Sequence, residues 1–413
     1  MASSSEQASA TSRPEDEAPA PPIPPPAKFH SRRHKVLLFV TAGASVLVVL
    51  AVLELVVALG WVDFRRVLGN RVPPWEDTRN LLDPELIHIR RPHYHERGKI
   101  IGGDLNLFYN TPAVTTIAYD VKYDQNGFRN DTDYDRADCV VIGDSFVEAG
   151  GVLVDEIFTT RIADALGVSV VNLGQSHYGP QQEFRVLEKY AVPLKPRICV
   201  WVFFEANDLQ DVWRYQHHVD NWPQIEEKYS SWRERSLIVN TYSWLAKRFN
   251  PAGPSDDRSR LGHLATSGGE QKIWFGYEGK PFTREMVQDV KGLEVTLAAI
   301  AGAHALCKEN EIQFVVAFAP TKYRVYADVC RFEKDSSIQG WVVNTLPAIL
   351  ARSIRNHSSE IAFLDLTTEL NRAAKSGQVL YYPDDTHWSP EGHEVVGRTI
   401  SNFLTSEFGE LLD

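Results

Sequence analysis

Cys139-Val-Val-Ile-Gly-Asp-Ser-Phe146 begins with four apolar residues and closes on a small polar turn. A short apolar, β-branched run bounded by glycine reads as a buried strand. Open α/β sheets hold their ligands at the carboxyl ends of such strands, and Ser145 stands at that end.

Four further runs repeat the pattern: Val168–Val171, Ile198–Phe204, Ile312–Phe318 and Ile361–Leu364. Amphipathic stretches separate them. In one, Val154, Phe158, Ile162 and Leu166 recur every fourth residue and give a helix one apolar face. Another starts at Ser389-Pro390-Glu391, a capping residue followed by proline and an acid. Alternating strands and helices predict βα units around a doubly wound parallel sheet of about five strands.

The ends of these strands carry the polar residues. The third strand runs into Glu205-Ala206-Asn207-Asp208, and Asp384-Asp385-Thr386-His387 precedes the last helix. Separately, each reads more readily as a turn or a cap. Together and in this order, Gly143-Asp144-Ser145, Asn172-Leu-Gly-Gln-Ser-His-Tyr-Gly179, Ala206-Asn207-Asp208 and Asp384 to His387 resemble the four blocks of the SGNH/GDSL hydrolase family. The resemblance covers about 138 to 405, outside the 209 to 285 insertion.

That resemblance implies a flavodoxin-like three-layer α/β/α sandwich. It implies Ser145 as nucleophile, His387 as base and Asp384 as the acid that orients it. The oxyanion hole would be formed by the Ser145 N–H, the backbone at His177 and the Asn207 amide. The types suit the chemistry: a serine hydroxyl needs an imidazole to take its proton, and a carboxylate holds that imidazole in the right tautomer. His177 and Ala206 stand where the family commonly has glycine. A backbone donor does not require glycine unless its φ is positive.

Around this domain, 413 residues leave room for appendages. Residues 1–35 comprise an Ala/Ser/Pro/Glu-rich stretch read as a disordered tail and a basic flank of Lys28, Arg32, Arg33 and Lys35. Val36–Gly60 has only Thr41, Ser45 and Glu54 as polar members and is long enough to span a bilayer, which takes about 20 apolar residues. The basic flank predicts a cytoplasmic N-terminus and an extracytoplasmic catalytic domain. Residues 61–137 read as a connector, with a turn at Asn126-Gly127. Residues 138–413 form the hydrolase domain. Its insertion at about 209–285 reads as a cap and holds Trp213, Trp222, Trp232, Trp244 and Trp274.

A net charge of −11 without a basic stripe argues against nucleic acid as a partner. No cofactor or metal is expected. His88, His93, His95 and Glu96, and likewise His217-His218, read as solvated side chains, and the cysteines have no metal-ligand spacing. Cys139 and Cys199 read as buried core residues, while Cys307 and Cys330 could pair if the domain is exported. The expected activity is hydrolysis of O-acyl esters on a carbohydrate or another cell-envelope molecule. Transfer of the acyl group to a polysaccharide hydroxyl is the alternative within the same chemistry, and a non-catalytic carbohydrate-binding scaffold is the alternative outside it.

Overall fold

The computed structural model describes residues 32–70, 72–249, 258–276 and 289–412. The expected disordered stretch before Arg32 and parts of the 209–285 insertion lie outside these residues. Two units are distinguished, Met1–Val62 and Asp63–Asp413.

In the first unit, Arg32–Ala58 is one helix, long and apolar enough to cross a membrane, with most of its apolar side chains exposed and Val57 buried.

The second unit is built on a parallel sheet of β1 (Cys139–Gly143), β2 (Val170–Gly174), β3 (Ile198–Phe204), β4 (Gln313–Ala319) and β5 (Ala362–Asp365). The spatial order is β5-β4-β3-β1-β2. β1 to β4 are buried on both sides apart from Gln313, whereas the edge strand β5 is half-buried. Alternate side chains feed two separate cores. Cys139, Val141, Val200, Val202, Val315 and Ala317 face one layer of helices, Phe158–Leu166, Thr367–Lys375 and Pro390–Leu412. Val140, Ile142, Trp201, Phe203, Phe314 and Val316 face the other, Pro180–Val186, Val290–Glu309 and Leu346–His357. This is the flavodoxin-like three-layer sandwich. The second strand starts later than its apolar run predicts and continues through polar Asn172 to Gly174. Backbone pairing of Val141 with Asn172 and of Gly143 with Gly174 carries it on.

From β1 the chain winds outward to β2, then returns across the sheet to β3. The reversal opens a crevice beyond the carboxyl ends of β1 and β3. Ser145 follows β1 and Asn207 follows β3, so topology brings both to that crevice.

Residues 63–137 do more than connect. Leu86, Ile89 and Phe128 are buried in the second core layer, and Asn80–Asp83 pairs with Ile87–Arg90 while His95–Ile101 pairs with Thr116–Lys122. Gly127 has φ +82° and lies so close to Arg90 that a Cβ would meet its carbonyl at 2.1 Å, as the Asn-Gly turn requires.

The described part of the insertion comprises helices Asp208–Asp220, Trp222–Ser230 and Leu237–Phe249, then a hairpin of Leu261–Thr266 with Gly269–Trp274, to which Cys330–Phe332 adds a third strand. Trp274 is buried against Leu105 and Leu261, whereas Trp213, Trp232 and Trp244 are exposed. Cys307 and Cys330 do not pair: all four cysteines are free thiols. Cys307 is buried in the second core layer with Cys199, while Cys330 begins the added strand and packs against the first.

Candidate active site

β1 ends at Gly143, and Asp144 caps the helical turn Ser145–Glu148 through a bond from Phe146 N to its Oδ1, 2.9 Å. This turn lies against the end of β2: a Cβ on Gly174 would meet Glu148 N and Val147 Cβ, each at 2.4 Å. Ser145 is thereby presented at a helix N-terminus over the sheet edge.

The His387 ring reaches it from the loop before the last helix. Nε2 lies 2.8 Å from Ser145 Oγ, and Nδ1 lies 2.6 Å from Asp385 Oδ1. The carboxylate on the imidazole is therefore that of Asp385, not of Asp384, its neighbour. Residues 382–388 form a tight turn, closed by Tyr382 N to His387 O at 3.1 Å and a bridge between Tyr381 and Trp388. Within it, Asp384 and Asp385 meet different partners. Asp385 accepts both the His387 ring bond and the His387 backbone N–H, the latter at 2.8 Å. Asp384 is turned away and fully buried, and its Oδ2 accepts from Val114 N at 2.8 Å and Thr115 N at 3.2 Å. It anchors the 102–116 segment beneath the loop.

That segment contributes a residue to the site that the sequence pattern gave no reason to suspect. Asp104 donates its backbone N–H to Asp385 Oδ2 at 2.9 Å and accepts from Thr386 N at 2.9 Å and from the Thr386 hydroxyl. Lys322 Nζ adds bonds to the carbonyls of Tyr382 and Trp274, tying the loop to the hairpin of the insertion.

The electrostatics follow from these contacts. Burial opposes a charge on His387, but the carboxylates of Asp385, Asp104 and Asp144 overcome it and raise the ring to about 9. Burial likewise opposes the Asp385 anion, yet His387 and the converging N–H groups hold its carboxyl well below the usual range. Asp104, desolvated and beside the Asp385 charge, is pushed up to about 6. Asp104, Asp385 and His387 also bring potential metal-ligand atoms within 4.8 Å of one another. A cation on Nδ1 would displace the proton that the Asp385 bond needs, so metal binding and a serine–histidine pair are alternative uses of this ring.

The other two blocks are braced on the opposite side of Ser145. Asn207 Nδ2 faces Asp144 Oδ2 at 3.3 Å and Asp211 Oδ2 at 2.6 Å. Asp208 is wholly buried and accepts from Phe204 N at 2.7 Å, closing the end of β3. His177 has φ +67°, in the region that favours glycine, and its carbonyl accepts from Arg214 Nη2 at 2.7 Å. Arg214 in turn pairs with Asp211 at 2.6 Å, so one chain of contacts joins His177 to Asn207. Glu148, one turn after Ser145, accepts from Ser176 N at 2.7 Å and from Tyr123 Oη at 2.6 Å, with Arg90 beside it. Its carboxyl is held down at about 2: burial opposes the charge, and Arg90 and these bonds outweigh burial.

The histidines expected to be solvated divide. His93 and His95 are exposed, His95 bonded to Asp120. His88 is instead buried edge-on to Tyr178 with Nε2 3.1 Å from Ser176 O, and His218 is buried against Trp75 at 4.1 Å between ring centroids.

The left-handed backbone at His177 makes a stability prediction. His177→Gly is expected to fold with stability unchanged or raised by about 1 kcal/mol. His177→Val, a β-branched residue in that conformation, should lose about 1–3 kcal/mol. Thermal unfolding of the two variants checks it.

A five-stranded parallel sheet in this order, with a serine after its first strand and a histidine before the last helix, agrees with what the resemblance to the SGNH/GDSL hydrolases implies. The family model matching residues 276–412 is described as SGNH hydrolase-like domain, acetyltransferase AlgX. Among curated proteins, the chain is similar to the "Probable alginate O-acetylase AlgJ" of Pseudomonas fluorescens, 26% identical over 131 residues. It is similar also to the protein of the same name from Pseudomonas putida, 26% identical over 115 residues, 28% of each chain. The first match spans 32% of this chain and 32% of the relative, so it covers about a third of either. Among solved structures, a carbohydrate esterase family 2 enzyme with a carbohydrate-binding domain from Corynascus thermopiles (Myceliophthora fergusii) aligns at 10% identity and TM-score 0.35, over 71% of each chain.

Proposed function

We propose that this chain transfers O-acyl groups through a covalent Ser145 ester, with a polysaccharide hydroxyl as acceptor. The observation that carries the reading is the Ser145–His387–Asp385 line, 2.8 Å and 2.6 Å between its polar atoms. The choice of a carbohydrate acceptor over water, which reverses the order expected from the sequence, is supported by the acetyltransferase description of the matching family and the O-acetylase names of the relatives.

In this reading neutral His387 takes the Ser145 proton as Oγ attacks the acyl carbonyl, and Asp385 stabilises the imidazolium. The oxyanion draws on the Ser145 N–H, the backbone near His177 and the Asn207 amide. Both hydrogens of that amide face carboxylates here, so its donation requires the longer bond to Asp144 to open. Collapse of the intermediate breaks the bond to the donor oxygen or sulfur, which leaves with the His387 proton. The acceptor hydroxyl then gives its proton to His387, attacks the Ser145 ester and frees Oγ, which recovers that proton.

The test is incubation of the full chain in detergent with an activated acetyl ester, with and without an oligosaccharide acceptor. Acetylated oligosaccharide is the expected product, formed at the expense of free acetate. Free acetate alone, at a rate indifferent to acceptor, would make the enzyme an esterase. No covalent Ser145 adduct and no turnover would leave the scaffold reading standing.

Because the base acts only when neutral and its pKa is raised to about 9, kcat/KM should climb with pH through neutrality, with its midpoint near 9, and level off above that. Asp104→Asn removes one of the charges that raise it, so the inflection should move to lower pH. An inflection at the ordinary histidine value in both proteins would remove Asp104 from the site's electrostatics.

The helix Arg32–Ala58 is proposed to anchor the chain with residues before it in the cytoplasm and the Ser145 domain outside. A reporter enzyme active only outside the cytoplasm, fused after Asp413, should be active; activity of a cytoplasmic reporter instead would reverse the orientation.

A further inference from the structure

We propose that the helix Leu237–Phe249 lies in the membrane–water interface, with its apolar side against lipid. The proposal rests on the anchor reading and extends it to the folded domain. Ile238, Tyr242, Leu245 and Phe249 fall at i, i+4, i+7 and i+11, one stripe of a helix, and all four are turned outward, 56%, 76%, 37% and 83% exposed. Val239 and Trp244 flank the stripe and are exposed too. Among the described side chains of this helix the buried one is polar: Asn240, whose Nδ2 donates to the carbonyls of Glu234 and Ser236 at 2.8 Å each. A helix on the surface of a water-soluble domain has the opposite polarity.

Its position identifies the occupant. The Asn240 carbonyl and Oδ1 accept from Asn70 Nδ2 at 3.2 and 3.1 Å, which ties this helix to the segment beginning at Asp63. Asp63 stands five residues beyond Ala58, the last residue of the candidate membrane helix. Five residues of extended chain reach roughly 18 Å at most, so the segment that grips Asn240 starts close to where the chain leaves the bilayer. The composition suits the headgroup region: Tyr242, Trp244 and Trp232 are of the types that concentrate there, and Arg233 and Arg248, both exposed, can meet anionic headgroups. Thirteen residues are too few to cross a bilayer, which takes about 20, so the helix lies along the surface.

The experiment uses the full chain in vesicles of phosphatidylcholine and phosphatidylglycerol. A Cys330→Ser background carries a nitrobenzoxadiazole probe at Tyr242→Cys or, as the control, at the exposed Asp131→Cys. Lipids brominated near the headgroup should quench the probe at 242 about twofold or more over the probe at 131, as an interfacial helix requires. Equal quenching at both positions, with the protein resisting alkaline carbonate extraction, overturns the proposal while leaving the anchor intact. Loss of the protein to the carbonate wash overturns the anchor reading and the proposal with it. A change in the 242 signal that follows the protein-to-lipid ratio instead of bromination assigns the stripe to a second copy of the chain and likewise overturns it.

Discussion

Ser145→Ala is expected to lower acyl turnover by about 10⁴-fold or more, and the Ser145→Ala/His387→Ala double variant to fall no further than either single one. The two atoms are 2.8 Å apart and act on one proton. Once the nucleophile is gone the base has nothing to activate, and without the base the hydroxyl is unreactive at neutral pH. Ser145 occupies the first turn of a short helix whose cap bond comes from Asp144, so alanine leaves the local fold intact and the loss reads chemistry. Single-turnover measurement of the covalent acyl adduct, with fluorophosphonate labelling of the wild type as reference, gives the number. Multiplying losses, or adduct formation in Ser145→Ala, would place the chemistry elsewhere.

The second large effect separates two adjacent aspartates. Asp385→Asn should reduce kcat by about 10²–10⁴-fold, because an amide at that position can present an N–H to Nδ1 and hold the ring in the wrong tautomer. Asp384→Asn should keep turnover within a few-fold of wild type. Its oxygen still accepts from Val114 and Thr115, and the cost falls on stability, by about 1–3 kcal/mol for a weakened buried hydrogen-bonded group. Steady-state kinetics beside denaturant unfolding reads both. The reverse ranking, with kcat lost in Asp384→Asn and retained in Asp385→Asn, would restore the acid suggested by the four-block pattern.

That exchange of neighbours shows where local pattern stops being informative. Gly143-Asp144-Ser145 and the approach to the last helix are recognisable because a buried strand, a tight turn and a capped helix each leave a signature within a few residues. The same holds for all five sheet strands, whose apolar runs end within three residues of the observed ones. The adjacent Asp384 and Asp385 of this turn meet different partners, however, and the one that meets His387 is chosen by how the turn is clamped. The clamp consists of Gly103, Asp104, Val114 and Thr115, more than 250 positions away in sequence. A Cβ on Gly103 would fall 2.3 Å from Asp384 O, which measures how closely the two segments meet.

Periodicity and composition by themselves determined the layered α/β class and the membrane-length helix, since each depends on burial that a short stretch encodes, while Ser145 and His387 were singled out by the four-block resemblance. Tertiary structure alone decided that Asp385 is the acid on His387 and that Asp104 and Glu148 brace the site from distant segments. It also turned His177 to positive φ, kept Cys307 and Cys330 apart, and directed the apolar side of Leu237–Phe249 outward. In each case the outcome depends on which surfaces meet across the fold, and long-range packing energies, not local preferences, select among side chains that neighbouring residues make equally available.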